Sequence, residues 1–197
     1  MATGAEGPSN AYDDLHVCAA VHSVHMTSAS KVFADHCQAW QMPISTPLGG
    51  MTLVATEAGL SGAWFDNQRH KPSIQHLPWG PKQHWLRMAK QQLSEYFAGQ
   101  REQFDLALDA LSGSLFQQQV WQALRQIPFG RFSTYGELAQ HLNHSNGARA
   151  VGMAVGRNPW SIIVPCHRVV AANGALTGYA GGLDRKLALL QQEGLLL

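Results

Sequence analysis

The hydrophobic pattern of this chain changes period near Gly113, and that change limits the possible folds more than any other feature. Upstream, Ile44-Ser45-Thr46-Pro47-Leu48-Gly49-Gly50 reads as a turn leading into an extended segment. The runs Met51-Thr52-Leu53-Val54-Ala55-Thr56 and Leu60-Ser61-Gly62-Ala63-Trp64-Phe65, separated by Glu57-Ala58-Gly59, then carry a β-hairpin signature. After a loop holding Pro72, Pro78 and Pro81, residues Trp85, Met88, Leu93, Tyr96 and Phe97 follow helical spacing up to Gly99, and 104–108 are expected to add one more strand. Downstream, Phe116, Val120, Leu124 and Ile127 recur at i, i+4, i+8 and i+11 and stop at Pro128-Phe129-Gly130. The chain therefore reads as α+β: a small antiparallel β-sheet plus helix over 39–112, then a mainly helical domain over 113–197. Residues 1–38 mix Ala, Ser, Gly, Asn and His without periodicity and read as an extension.

A net charge of +1 hides an asymmetry between these parts. Residues 1–112 carry 7 Lys and Arg against 10 Asp and Glu, whereas 113–197 carry 7 against 3, so the second part is locally basic. Such an excess attracts phosphates, and equally it describes an ordinary solvated face. No run approaches the ~18 apolar residues of a membrane span, and residues 1–10 with Asp13 and Asp14 lack the character of a secretion signal, so no membrane and a cytoplasmic location are expected. Cys18, His22, His25, His36 and Cys37 are ligand types without the tight pairing of a zinc site; no metal or cofactor is expected. With Cys166 the cysteines number three, too few for a disulfide framework, and a free thiol is expected.

Thr134 and Glu137 form the pattern of a capping box for a helix through Leu142. The turn His144-Ser145-Asn146-Gly147 then leads to Ala148-Arg149-Ala150-Val151-Gly152-Met153-Ala154-Val155-Gly156, so that two short helices resemble a helix-turn-helix. The second helix has very little bulk, which suits either close approach to another surface or tight packing in the core. Beyond Asn158-Pro159, the apolar run 160–164 enters Pro165-Cys166-His167-Arg168. A thiol beside a base and a cation can be an activated nucleophile, and a cysteine in an apolar strand can equally be a small core residue.

These segments together resemble the O6-alkylguanine-DNA alkyltransferase family. The likeness rests on Pro165-Cys166-His167-Arg168-Val169, on Asn158-Pro159, on Gly178-Tyr179-Ala180-Gly181-Gly182, on Phe129-Gly130-Arg131-Phe132-Ser133-Thr134-Tyr135-Gly136-Glu137, on Ala148-Arg149-Ala150-Val151-Gly152 and on Gln192-Glu193-Gly194. It covers about 113–194 and extends weakly to Thr46-Pro47-Leu48-Gly49. It implies a ribonuclease H-like first domain and a winged-helix-like second one, and a function in direct reversal of DNA damage. In that function an alkyl group moves once and irreversibly from guanine O6, and by extension thymine O4, to Cys166. His167 would take the thiol proton through a water, with Glu193 polarising the imidazole, and the relay is expected to lower the thiol pKa. Tyr135 would hydrogen-bond the departing guanine, and Asn158 would tie the helix to the cysteine segment. Arg149 would occupy the place of an extruded nucleotide, with Ala148, Ala150, Gly152, Thr134 and Tyr135 against the minor groove of double-stranded DNA. Tyr179, Ala180, Val169, Val155 and Trp160 would line the base pocket.

Two departures stand out. Ala180 replaces the serine common after the loop tyrosine, and Trp160 is larger than the residue usual at its place, so that it narrows or flanks the pocket. Three rivals bear comparison. An alkyltransferase-like lesion-binding protein would have tryptophan at the cysteine position, and a helix-turn-helix regulator would carry several base-reading side chains on its second helix. A cysteine hydrolase would need Cys166 and His167 to face each other, whereas neighbours in an extended segment point apart. A monomer is expected, since one transfer consumes one molecule.

Overall fold

The computed structural model describes residues 38–195. Strands β1 (Trp40–Thr46), β2 (Gly49–Ala55) and β3 (Leu60–Phe65) form an antiparallel sheet in the order β1-β2-β3. The β1–β2 turn closes because Gly49 adopts φ +108 and the Thr46 hydroxyl accepts from the amide of Leu48. Helix α1 (His84–Phe97) covers one face of the sheet, packing Leu86, Ala89, Leu93 and Tyr96 with Met42, Ile44, Met51 and Leu53. Val54 and Trp64 face the other way and meet Ala39, Ile74 and Leu77. Both faces are covered, so β3 is buried along its whole length.

The strand expected over 104–108 is not there. Leu108 makes a single parallel bridge to Leu60, closed by hydrogen bonds from Leu60 to Ala107 and from Asp109 to Leu60. The free edge of β3 is shared: farther along it, Ala63 bridges Trp160, with the amide of Ala63 on the carbonyl of Pro159 and that of Ser161 on Ala63. Each visiting segment has only half of a six-residue edge, too little to extend into a ladder.

The second part holds α2 (Leu115–Arg125), β4 (Ser133–Thr134), α3 (Tyr135–His141), α4 (Ala148–Gly156), β5 (Val169–Val170) and α5 (Leu183–Gln192). Ser114 and Gln117 cap α2 reciprocally, and Thr134 and Glu137 do the same for α3, as the sequence pattern indicates. Strands β4 and β5 pair in parallel, which sets the N-terminus of α3 beside the segment following Cys166. The turn between α3 and α4 passes through Asn143 at φ +58. Val120, Trp121 and Leu124 of α2, Val151, Ala154 and Val155 of α4, and Cys166 itself belong to the same core cluster as the sheet and α1. Cys18, His22, His25, His36 and Cys37 lie outside the described residues. Among the described residues no group of His, Cys, Asp or Glu comes together to hold a metal, and no helix is long and apolar enough to cross a membrane.

Candidate active site

Cys166 is set by the turn that begins at Asn158. This asparagine is buried, and its Nδ2 donates to the carbonyls of Val164 (2.9 Å) and Trp160 (3.2 Å) and lies 3.1 Å from Cys166 Sγ. Its Oδ1 accepts from the amide of Trp160 at 3.0 Å. One side-chain amide thus bonds both ends of the 158–166 turn and reaches the thiol as well. The turn is taut, because Ile162 adopts φ +72, a conformation costly for a β-branched residue, by about 1–3 kcal/mol. The sequence reading of an extended segment fails here. The bonds of Asn158 fold the run 160–164 into turns, and Cys166–Arg168 is a single turn of 3-10 helix. Extended-strand geometry therefore does not separate Cys166 from His167.

His167 is fully buried, its Nε2 lies 2.8 Å from Glu193 Oε1, and its Nδ1 has no partner among the described residues. Glu193 also accepts from Arg168, from Nε at 2.7 Å and Nη2 at 2.9 Å, and from the hydroxyl of Tyr96 at 2.9 Å. Burial works against its charge, but the hydrogen bonds from His167 and Arg168 and the charge of Arg168 prevail and hold the carboxyl at about 2. An ionised carboxylate at Nε2 requires that nitrogen to donate, which leaves Nδ1 as the acceptor. Burial, followed by the charges of Arg168 and Lys186, outweighs the pull of Glu193 and keeps the imidazole below its ordinary pKa. His167 is thus a neutral base with a free lone pair.

The thiol departs from expectation. Burial pushes Cys166 upward, and the bond from Asn158 and the charge of Lys186 oppose this only in part. The resting group is therefore a thiol, against the expectation of a stored thiolate. Lys186 is itself buried, lowered to about 8 by that burial, and donates to the carbonyls of Val169 and Thr177.

The other expected residues are distributed around this centre. The Tyr135 hydroxyl lies 3.3 Å from the carbonyls of both Thr177 and Gly178, and Gly178 sits so close that a Cβ there would be 3.2 Å from that hydroxyl. Tyr179 is buried with its hydroxyl unpartnered among the described residues, and the carbonyl of Ala180 accepts from the amide of Arg69. Val155 and Val169 are buried in the core beneath. Trp160 is not placed as expected: its indole donates to the carbonyl of Leu60 at 2.7 Å and meets Trp121 edge-on. It fills the seam between β3 and α2, beside a cavity of about 200 Å³ lined also by Leu108, Gln118 and Arg125. A large side chain fits there because the turn directs it toward the sheet. On α4, Ala148, Arg149 and Ala150 are exposed, Gly152 is half-buried against the Tyr135 ring, and Thr134 is half-buried at the N-cap of α3.

Residues 115–195 match the DNA binding domain of 6-O-methylguanine DNA methyltransferase, and residues 43–110 match its ribonuclease-like domain. The chain belongs to the 6-O-methylguanine DNA methyltransferase family. Among its relatives, the methylated-DNA–protein-cysteine methyltransferase of Mycobacterium tuberculosis is 47% identical over 150 residues, 76% of this chain and 89% of that one. The namesake from Methanosarcina acetivorans is 46% identical over 149 residues, covering 76% and 94%. The crystal structure of Mycobacterium tuberculosis OGT in complex with DNA matches with a TM-score of 0.72 at 44% identity, over 78% of this chain and 91% of that one. The O6-methylguanine-DNA methyltransferase of Pyrococcus kodakaraensis matches with a TM-score of 0.55 at 26% identity, over 80% and 100%.

Within this family fold, three residues of the site escaped the sequence reading. Arg168 stands inside the recognised motif, yet neither its type nor its spacing shows its clamp on Glu193. Lys186 on α5 carries no signal that it is buried beside the thiol. Tyr96 gave no signal at all, since an aromatic at helical spacing is indistinguishable from core until its hydroxyl is seen on a carboxylate 97 positions away.

Proposed function

We propose that this chain repairs alkylated DNA by moving the alkyl group from guanine O6 to Cys166, where it remains as a thioether. The observation that carries the assignment of roles is the pairing of a buried thiol, touched by Asn158, with a neutral imidazole whose Nε2 is engaged by Glu193 and whose Nδ1 is free. His167 Nδ1 takes the thiol proton through a water. Sγ then attacks the alkyl carbon, the carbon–oxygen bond breaks, and its electron pair stays on the guanine. The hydroxyl of Tyr135 hydrogen-bonds the base and offsets the developing negative charge. Nothing restores the thiol, so each molecule acts once.

The target atom lies in the base stack, so the nucleotide must be extruded, at a cost of a few kcal/mol. In this reading α4 enters the minor groove. Its small residues allow the backbone to approach, and Arg149 takes the vacated place. Residues 113–197 hold the nucleophile and the DNA face, residues 39–112 brace the turn that carries Cys166, and the protein works as a cytoplasmic monomer. The test is intact mass after incubation with a duplex containing O6-methylguanine: one methyl group gained, mapped by peptide analysis to Cys166 and abolished in Cys166→Ala. An adduct on Cys18 or Cys37 would overturn the assignment.

A further inference from the structure

The outward face of α4 carries more than one arginine framed by small residues. Positions 149, 153 and 157 are four apart, so Arg149, Met153 and Arg157 follow one another along a single stripe, and all three are exposed. Val151, Ala154 and Val155 face the core instead. The remaining outward positions, Ala148, Ala150, Gly152 and Gly156, carry nothing larger than a methyl group. Met153 is therefore the one long apolar side chain on this face, and it is 65% exposed. A lone exposed apolar residue elsewhere on a surface needs no explanation. Here it stands between Arg149, on the helix assigned to the DNA, and Arg157 at that helix's C-cap.

Resting on the reading above, we propose that Met153 is a second minor-groove contact, and that it makes repair depend on how readily the DNA beside the lesion opens. The side chain has no donor and only a weak acceptor, so it cannot read base edges by hydrogen bonds. It is unbranched and adaptable, and side chains of this kind act in the minor groove as apolar wedges at base steps. Four helical residues span about 6 Å, so on a helix running along the groove Met153 lies roughly two base pairs from Arg149. Inserted at a base step, such a wedge must partly unstack it, at a cost of a few kcal/mol. Pyrimidine–purine steps yield easily to such deformation, whereas A-tracts are stiff and narrow. Specificity then arises for the flanking sequence, with no base read directly.

The experiment uses the full chain and two duplexes carrying O6-methylguanine, one flanked by TA and CA steps and one set in an A-tract. The wild type should bind and repair the flexible duplex severalfold better. Met153→Ala should bind it about tenfold more weakly, as loss of one buried side chain implies, and lose the preference. Its slope of log affinity against log salt should be unchanged, because no phosphate contact is removed, whereas Arg157→Ala should reduce that slope by about 1. Met153→Leu should keep the preference. Reaction of Met153→Ala with free O6-methylguanine base should proceed at the wild-type rate, which shows the variant folded and the thiol competent. Unchanged or tighter duplex binding by Met153→Ala, or retention of the flanking preference, would overturn the proposal. Failure of the wild type to accept any alkyl group would strike the functional reading itself.

Discussion

Neutralising Glu193 tests the site most directly. The carboxylate accepts two bonds from Arg168, one from His167 and one from Tyr96, and all four groups are buried. In Glu193→Gln a single amide oxygen replaces two charged ones, and the amide NH₂ faces groups that are themselves donors. Arg168 then remains as a buried cation without its counter-ion, which costs about 3–5 kcal/mol. For a protein of this size that corresponds to a fall in Tm of roughly 6–20 °C. Replacing both charges in Glu193→Gln/Arg168→Met should recover much of the loss, since the orphaned cation is gone. The assay is urea unfolding of the wild type, each single variant and the double variant, followed by circular dichroism. A Glu193→Gln protein within about 1 kcal/mol of wild type would refute the view that an ionised carboxylate holds this cluster together. A double variant no more stable than Glu193→Gln would refute the assignment of the loss to Arg168.

Acid should destabilise the fold in two stages: below pH 6.5, because His167 charges more readily in the unfolded chain, and again from 4.5 toward 2 as Glu193 loses its charge, the second stage amounting to about 3 kcal/mol. A pH titration of the unfolding free energy that is flat from 6.5 to 3 would contradict both assignments. Asn158→Leu strands the amide of Trp160, takes one of two donors from the carbonyl of Val164 and removes the donor to Sγ, so it should cost about 1–3 kcal/mol and slow alkyl transfer even from free base; a normal rate would show that Asn158 does not influence the thiol. Tyr96→Phe should lose about 0.5–1.5 kcal/mol and, at fixed pH, slow transfer from duplex and free base equally, since it acts through Glu193 and not through DNA. A selective loss on duplex would count against that route.

What could be read from the sequence was what depends on neighbours along the chain. The capping box of Thr134 and Glu137, the turn at Gly49 and the helical spacing up to Phe97 are local, and each recurs in the structure. The motif around Cys166 and the distant Glu193 were legible because their residue types match a known family pattern. The failures concern partners that spacing does not encode. Residues 104–108 carry an extended pattern, but the edge they would join is half taken by Pro159 and Ser161. The direction of Trp160 is decided by bonds from Asn158 that reverse the chain, and the depth at which Cys166 sits raises its pKa against the expectation drawn from its neighbours.

The knot at Glu193 also has a bearing on synthesis. The ribosome makes Tyr96 and Arg168 before Glu193, and Cys166 precedes that carboxylate by 27 positions. Until Glu193 emerges and finds its partners, nothing fixes the imidazole in the tautomer that accepts a proton. The emerging polypeptide therefore carries an unassisted thiol. That exposed thiol ionises at its ordinary pKa, so the nascent chain meets small electrophiles unshielded, and protection comes only with the burial that folding around Glu193 completes.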